Sequence, residues 1–470
     1  MIFADLFFIY IFLPLNIILY FMSGNRTYRN LVLVGFSLFF YAWGEPVLVM
    51  LMIFTASLNC LMGIVIEDAR NKSIKQVALI VALVISLGLF VLFKYTGFIV
   101  SNINLLTGLA IPVPSISLPI GISFYTFQAL SYTIDVYRGD MKAQRSIYKF
   151  LMYISLYTQL VAGPIVRYKD IQGEIDDRQE TFGDISRGLT RFCVGLAKKV
   201  VVANTAGRIA SPLLDGDLST LTTLGGWFAI ALYALQIYYD FSGYSDMAIG
   251  LGWVFGFHFP ENFIYPYIAK SATEFWRRWH TSLGTFFRDY LYIPLGGNRR
   301  YWARNLAITW FATGLWHGAS WNFVLWGLFF GLLIFIERLF LSDLLLKLPA
   351  FVSHVYLLFA VLMGWVLFYY TDMGQVGQFY GVLFGGSAAG LYSTEILVLI
   401  ANNIWWFVAS MIFCTPVLEG LKSLAASAEH KPLGQVVAYI GQPTLNLIIL
   451  AACTALLVGQ SYNPFLYYKF

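Results

Sequence analysis

Long apolar runs separated by short polar stretches dominate the chain. They fall near residues 3–22, 31–44, 46–66, 77–100, 118–137, 146–163, 221–241, 245–257, 303–317, 320–340, 350–370, 396–418 and 443–460. A helix needs about 20 apolar residues to cross a bilayer, and several of these runs are shorter. The short ones predict broken, tilted or re-entrant helices. Such backbone is tolerated at membrane depth only where it is buried in protein or lines a wet cavity. The first run begins almost at Met1, with no basic n-region and no small-residue cleavage site, so it predicts a retained first span. The pattern predicts an all-α polytopic integral membrane protein, with 1–470 as a single membrane domain. Its motif-bearing core covers about 118–340, and C-terminal helices occupy 350–470.

Composition agrees. The chain is 59% hydrophobic, 18% aromatic and only 12% charged, where a soluble chain carries about 25% charged residues. The net charge of +5 fits basic cytoplasmic loops better than nucleic-acid binding. Cys60, Cys193, Cys414 and Cys453 are far apart, without CxxC or Cys/His spacing, so no disulfide framework or metal site is expected. No internal repeat, low-complexity segment or appended soluble domain is visible in the sequence.

Lys and Arg set the expected orientation. Arg26 and Arg29, then Arg70, Lys72 and Lys75, then Arg138, Lys142 and Arg145 mark cytoplasmic loops and put the N-terminus outside. Strict alternation then fails, because a spanning 146–163 would leave Arg187, Arg191, Lys198 and Lys199 outside. Either 146–163 is re-entrant or a short span is hidden. Residues 184–206 mix charge with Leu, Phe and Val and read as an amphipathic helix at the cytoplasmic interface.

Three stretches carry chemistry. In "SATEFWRRWHTSLGTFFRDYLYIPLGGNRR", Ser271 and Glu274 form a capping-box pattern that starts a helix. Arg277, His280 or Thr281, Gly284 and Arg288 then share one helical face, and Glu274 can pair with Arg277 or Arg278. Such a helix either lies at the interface with its arginines on lipid phosphates or faces a cavity and holds cofactor phosphates. In "TGLWHGASWNFVLWG", His317 stands alone in a run with no Asp, Glu, Lys or Arg from Asn305 to Ile336. One straight helix over that run would be about 48 Å long, more than the roughly 30 Å hydrocarbon core. A break at Gly318-Ala319-Ser320, with Ser320 capping the second half, is therefore expected. His317 is then either a structural histidine bonded to a neighbouring helix or a buried general base. Tryptophans 310, 316, 321 and 326 crowd it. In "QIYYDFSGYSDMAIGLG", Asp240 and Asp246 flank Ser242-Gly243, as caps at a helix break or as counter-charges for the Arg/His helix. His258, His354 and His430 read as structural or interfacial.

Together with "LPIGISFYTFQALSYTIDVYRG", "LVAGPIVRYKDI" and "YNPFLYYKF", these motifs resemble the membrane-bound O-acyltransferase family, in its alginate O-acetyltransferase branch. The resemblance covers most of Ile120 to Glu337. It implies a funnel of roughly eleven or more helices, some broken or re-entrant, around a tunnel. It implies that His317 is the catalytic histidine and His280 the second active-site histidine. Acetyl-CoA is the implied donor, with no permanently bound cofactor. Arg277, Arg278, Arg288, Arg299 and Arg300 are the candidates for holding its phosphates. Asp240, Asp246, Trp316 and Asn322 are expected to line the tunnel or orient groups in it. Further implications are an extracytoplasmic partner of the SGNH-hydrolase-like acetyltransferase type, a polysaccharide acceptor, and residence in a bacterial cytoplasmic membrane. Two other readings stand beside this one: a D-alanyl or other acyl relay of the same family, and a glycan transporter that makes no bond.

Overall fold

The computed structural model describes residues 1–161, 163–417, 419–420, 440–459, 463, 465 and 466. The matched C-terminal "YNPFLYYKF" is thus described only at Asn463, Phe465 and Leu466, and His430 lies outside the described residues. Six helices among the described residues are long and apolar enough to cross a membrane: Val49–Asp68, Lys72–Thr107, Trp321–Lys347, Ala350–Tyr369, Thr394–Phe413 and Gln442–Gly459. The protein is helical and multi-pass, as its apolar pattern predicts.

In chain order, a π-helical turn Phe8–Phe12 leads into α1 (Leu13–Phe21), followed by α2 (Arg26–Ala42), α3 (Val49–Asp68) and α4 (Lys72–Thr107). Next come α5 (Ile122–Arg138), α6 (Ile147–Ser155), α7 (Tyr157–Leu160), α8 (Tyr168–Asp176), α9 (Phe182–Ala197) and α10 (Asn204–Leu214). The chain continues with α11 (Thr223–Val254), α12 (Ala272–Arg278), α13 (Thr281–Phe287), α14 (Trp302–His317) and α15 (Trp321–Ile336). It ends with α16 (Ser342–Lys347), α17 (Ala350–Tyr369), α18 (Met373–Leu383), α19 (Thr394–Phe413) and α20 (Gln442–Gly459). These elements form two compact units, Met1–Phe192 with Ser245–Pro260, and Cys193–Tyr244 with Glu261–Phe470.

In the first unit, hydrogen bonds between side chains tie apolar helices together, as is usual where lipid removes the hydrophobic drive between helices. Asn59 of α3 donates to Ser86 of α4 at 3.0 Å and accepts from Thr133 of α5 at 2.8 Å. The run 146–163 is not one span: α6 stops at Ser155, Leu156 leaves helical geometry (ψ 108), and α7 is only four residues long. A buried charge cluster closes this unit. Glu180 accepts from Arg26 at 2.5 Å, from Arg29 at 2.6 Å and from the Tyr20 hydroxyl. Arg178, 2% exposed, donates to the Phe255 carbonyl at 2.9 Å and to Tyr20 at 3.0 Å. Burial raises the Glu180 pKa, but the Arg26 and Tyr20 hydrogen bonds and the charges of Arg26 and Arg29 outweigh it and hold the carboxyl below its ordinary value. Removing one partner leaves the others charged and buried. Glu180→Ala is therefore expected to cost about 3–5 kcal/mol, read as a large drop in the unfolding temperature of detergent-solubilised protein. A drop within error would show that water satisfies the cluster.

The second unit corrects two expectations. The runs 221–241 and 245–257 are one helix, α11, so Asp240 does not cap a break. The helix passes straight through Ser242-Gly243, where a side chain at Gly243 would run into the carbonyl of Gly195 and the backbone of Lys199. The glycine that suggests a break in the sequence instead permits close helix approach. The long run 303–340, by contrast, does break where expected. α14 ends at His317, Gly318 is extended, and α15 begins at Trp321. Ser320 takes the N-cap position but makes no capping hydrogen bond through its side chain, against expectation. The break leaves two 16-residue helices; length alone does not force it, since α4 runs unbroken for 36 residues and α11 for 32. The hairpin of α14 and α15 is close enough that a Cβ at Gly327 would collide with the Trp310 carbonyl and the Gly314 backbone. Gly327→Ala must push the two helices apart. It is expected to lower stability by about 1–3 kcal/mol and to lower turnover with it. An unchanged melting curve would sink the close-packing argument.

Candidate active site

The single helix expected from Ser271 to a stop at Pro294 and Gly296-Gly297 is instead two short helices, the second running into a π-helical turn at Arg288–Tyr292. α12 begins as expected, with the Ser271 hydroxyl accepting from the Glu274 amide at 3.0 Å. Glu274 does not complete a reciprocal box. Its carboxylate accepts from the Lys270 amide at 2.9 Å and pairs with Arg278 at 2.9 Å. α12 stops at Arg278, and His280 takes a left-handed backbone conformation (φ 47) before α13 begins. The single face running from Arg277 to Arg288 is therefore cut at His280. A non-glycine residue in this region is uncommon and is held there by its surroundings.

Those surroundings are explicit. His280 is 2% exposed. Its Nδ1 lies 3.0 Å from Asn262 Oδ1, and that oxygen also accepts from the Ser282 hydroxyl at 2.9 Å. The Asn262 carbonyl accepts from the Thr281 amide at 3.0 Å. Asn262 thus holds the loop on both sides of His280 and is itself fully buried. An amide oxygen facing several donors requires the proton on Nδ1, which leaves the lone pair on Nε2. Burial disfavours imidazolium and pulls the His280 pKa down to about 3. His280 is thereby a neutral ring that accepts through Nε2.

His317 sits at the last turn of α14 and is 2% exposed. Its ring packs edge-on against Trp316 (centroids 5.0 Å), Trp326 of α15 (4.8 Å) and Phe368 of α17 (5.3 Å). Trp316 also lies 5.8 Å from the His280 ring, so one indole touches both histidines. Phe241 of α11 packs on His280 from another side, at 4.7 Å. Asn322, fully buried, donates to the Leu367 carbonyl at 3.1 Å and ties the start of α15 to α17 beside Phe368. Of the four crowding tryptophans, 316 and 326 touch His317. Trp310 packs on Trp276, and Trp321 is half exposed. The structure thus brings His280, Trp316, His317 and Asn322 into one buried aromatic region of the second unit.

The charged candidates lie elsewhere. Arg277, Arg288, Arg299 and Arg300 are exposed. Arg278 is half-buried on Glu274, Arg288 pairs with Asp289 at 2.7 Å, and Arg300 lies over the Tyr301 ring. Asp240, 1% exposed, pairs with Lys199 at 2.6 Å and accepts from the Leu466 amide at 2.9 Å. Asp246 belongs to the first unit and pairs with Arg191 at 2.8 Å. Both carboxylates thus find cations from residues 184–206, the stretch expected to be an amphipathic helix. Asn262, Phe241 and Phe368 are the site residues that sequence reasoning missed. For Asn262 the only available signal was a polar residue in the aromatic stretch "FHFPENFIYP", too weak to single out.

With this geometry in view, comparison decides the family. Residues 37–373 match the membrane-bound O-acyltransferase family. The chain belongs to the membrane-bound O-acyltransferase family. This O-acyltransferase is 37% identical to the "Probable alginate O-acetylase" of Azotobacter vinelandii, over the full length of both chains. It is 34% identical to the peptidoglycan O-acetyltransferase of Helicobacter pylori, over 70% of this chain and 69% of that one. A teichoic acid D-alanyltransferase of Streptococcus thermophilus is 30% identical over 45% of this chain and 55% of its own length.

Proposed function

We propose that this O-acyltransferase moves an acetyl group from cytoplasmic acetyl-CoA, through a tunnel in the membrane, for O-acetylation of an extracytoplasmic polysaccharide. The observation that supports it best is the pairing of His317 and His280 around Trp316 in a buried aromatic region. Full-length similarity to alginate O-acetylases favours an acetyl donor over D-alanine, since the D-alanyltransferase match covers under half of the chain. The acceptor is an alginate-like polysaccharide, cellulose or peptidoglycan, reached through a partner of the SGNH-hydrolase-like type. The enzyme works in the bacterial cytoplasmic membrane with its N-terminus outside.

In this reading the phosphates of CoA stay at the cytoplasmic mouth. The exposed Arg277, Arg288, Arg299 and Arg300 hold them together with Arg278, because guanidinium forks fit phosphate oxygens. The pantetheine arm threads inward and brings the thioester to His317. As neutral imidazole, His317 takes the proton of an incoming hydroxyl while the hydroxyl oxygen attacks the thioester carbonyl. The C–S bond breaks, the proton passes to the departing thiolate, and the products are an O-acetyl ester and CoA thiol. His280 accepts a hydrogen bond at Nε2 and orients the arm or the acceptor. Polarising the carbonyl would need a donor there, and the Asn262 bond puts the proton on the other nitrogen. Asp240, held by Lys199, acts as the orienting carboxylate of this unit.

The test is acetyl-CoA turnover by the purified protein in proteoliposomes, with labelled acetyl followed to an acceptor on the opposite side. Release of CoA thiol together with labelled ester supports the proposal. Turnover of a D-alanyl thioester but not acetyl-CoA would overturn the donor, and glycan movement without thioester consumption would overturn the transfer itself.

A further inference from the structure

Glu337 is a fully buried carboxylate that the proposed chemistry does not use. It stands just past α15, at the start of a π-helical turn Glu337–Leu341, and is 1% exposed. Single π-turns inside helices recur at functional sites. Its two oxygens are engaged four times. They accept from the Ala272 amide at 2.6 Å, the Thr273 amide at 2.9 Å, the Thr273 hydroxyl at 2.6 Å and the Tyr356 hydroxyl at 3.1 Å. Ala272 and Thr273 are the first two residues of α12, and the third amide, that of Glu274, goes to Ser271. The amides that open this helix are therefore satisfied, two of them by a residue 64 to 65 positions away. A carboxylate at a helix N-terminus also meets the positive end of the helix dipole.

What α12 carries explains the investment. Its Trp276 packs on Trp310 of α14 (5.1 Å) and on Trp326 (5.3 Å) and Phe330 (4.9 Å) of α15. Trp326 is in turn a wall of the His317 site. At its other end α12 stops two residues before His280, and the Arg278 carbonyl accepts from the Ile264 amide at 2.9 Å, beside the Asn262 anchor. One short helix thus sets both the loop that aims His280 and an aromatic wall of His317.

We propose that Glu337 is a positioning residue for acyl transfer: its carboxylate caps α12 from the end of α15 and so fixes His280 relative to His317. The proposal rests on the two-histidine reading of the site. It is tested with Glu337→Gln in full-length reconstituted protein, by steady-state turnover of acetyl-CoA and by amide hydrogen exchange. Gln keeps the shape, but its NH2 group faces donors and cannot replace a carboxylate oxygen. The expected result is kcat lowered about 10- to 100-fold with the donor KM within about two-fold, as misplacement of the reacting groups predicts. Amides 272–278 should exchange at least about 10-fold faster, while 305–316 stay protected. Tyr356→Phe and Thr273→Val each remove one bond and keep the buried carboxylate. They should give smaller losses in the same direction, and they carry the test if Glu337→Gln does not fold. Unchanged exchange at 272–278 overturns the cap. Faster exchange with unchanged kcat per folded molecule overturns the positioning role. Absence of wild-type turnover overturns the acetyl-transfer reading alone, because the exchange measurement decides the cap without any chemistry.

Discussion

His317→Ala lowers turnover by about a hundred- to ten-thousand-fold, the span expected when a general base is removed, while acetyl-CoA binding is kept. The reasoning is local. His317 is the only histidine in the run Asn305–Ile336, which holds no Asp, Glu, Lys or Arg, and it is the last residue of α14. Trp316, Trp326 and Phe368 enclose its ring and exclude water. Loss of the imidazole removes the proposed proton acceptor without touching the arginines proposed to hold the phosphates, which lie outside this region. CoA affinity should therefore change little, and the whole loss should appear in kcat. The measurement is turnover beside equilibrium CoA binding, on protein shown to be folded. Loss of binding in step with turnover would mean that His317 holds the fold or the donor and takes no part in the chemical step.

The sequence makes some of this architecture plain and hides the rest, for physical reasons. The break after His317 is legible because Gly318-Ala319-Ser320 groups small and capping residues in an otherwise bulky apolar run; length alone would not have shown it, since α4 continues unbroken for 36 residues. The break at His280 is not legible. Capping signals and charge spacing describe a continuous helix from Ser271, and the left-handed turn is imposed by Asn262, which is distant from any motif pattern. The reverse error occurs at Ser242-Gly243. Glycine between polar residues looks like a breaker, yet here it lets the Gly195 carbonyl approach a helix that never stops. Histidines 317 and 280 could be named from their motifs. Trp316 and Trp326 could be named beside them, but Phe241 of α11 and Phe368 of α17 could not, because those contacts follow only from packing. Asp240 and Asp246 read in the sequence as caps or as counter-charges for the Arg/His helix; they pair instead with Lys199 and Arg191, from a stretch that reads, by itself, as interfacial.

The neutrality of His280 leads to the second large effect. His280→Ala should lower kcat about a hundredfold if the ring orients a reacting group, but a deletion alone does not say whether the ring accepts or donates. Asn262→Asp does. It exchanges an amide 3.0 Å from Nδ1 for a carboxylate of nearly the same shape, and an opposite charge at that distance raises a histidine pKa by about 1–3 units. Protonated His280 has no lone pair at Nε2, so turnover should fall at low pH and recover as pH rises, with the acid limb of the kcat profile displaced upward. Stability carries the matching sign in the wild type. The folded-state pKa of His280, near 3, lies below the ordinary 6.5. The neutral ring's contribution is therefore fully present above 6.5 and is lost as pH falls toward 3. Asn262→Asp should shrink that acid loss while lowering stability at neutral pH, where a buried carboxylate must be desolvated. A rise in kcat at low pH would reverse the assignment and make His280 a donor to the thioester carbonyl. A profile identical to the wild type's would remove His280 from the chemical step and leave it as the hinge of the α12–α13 turn.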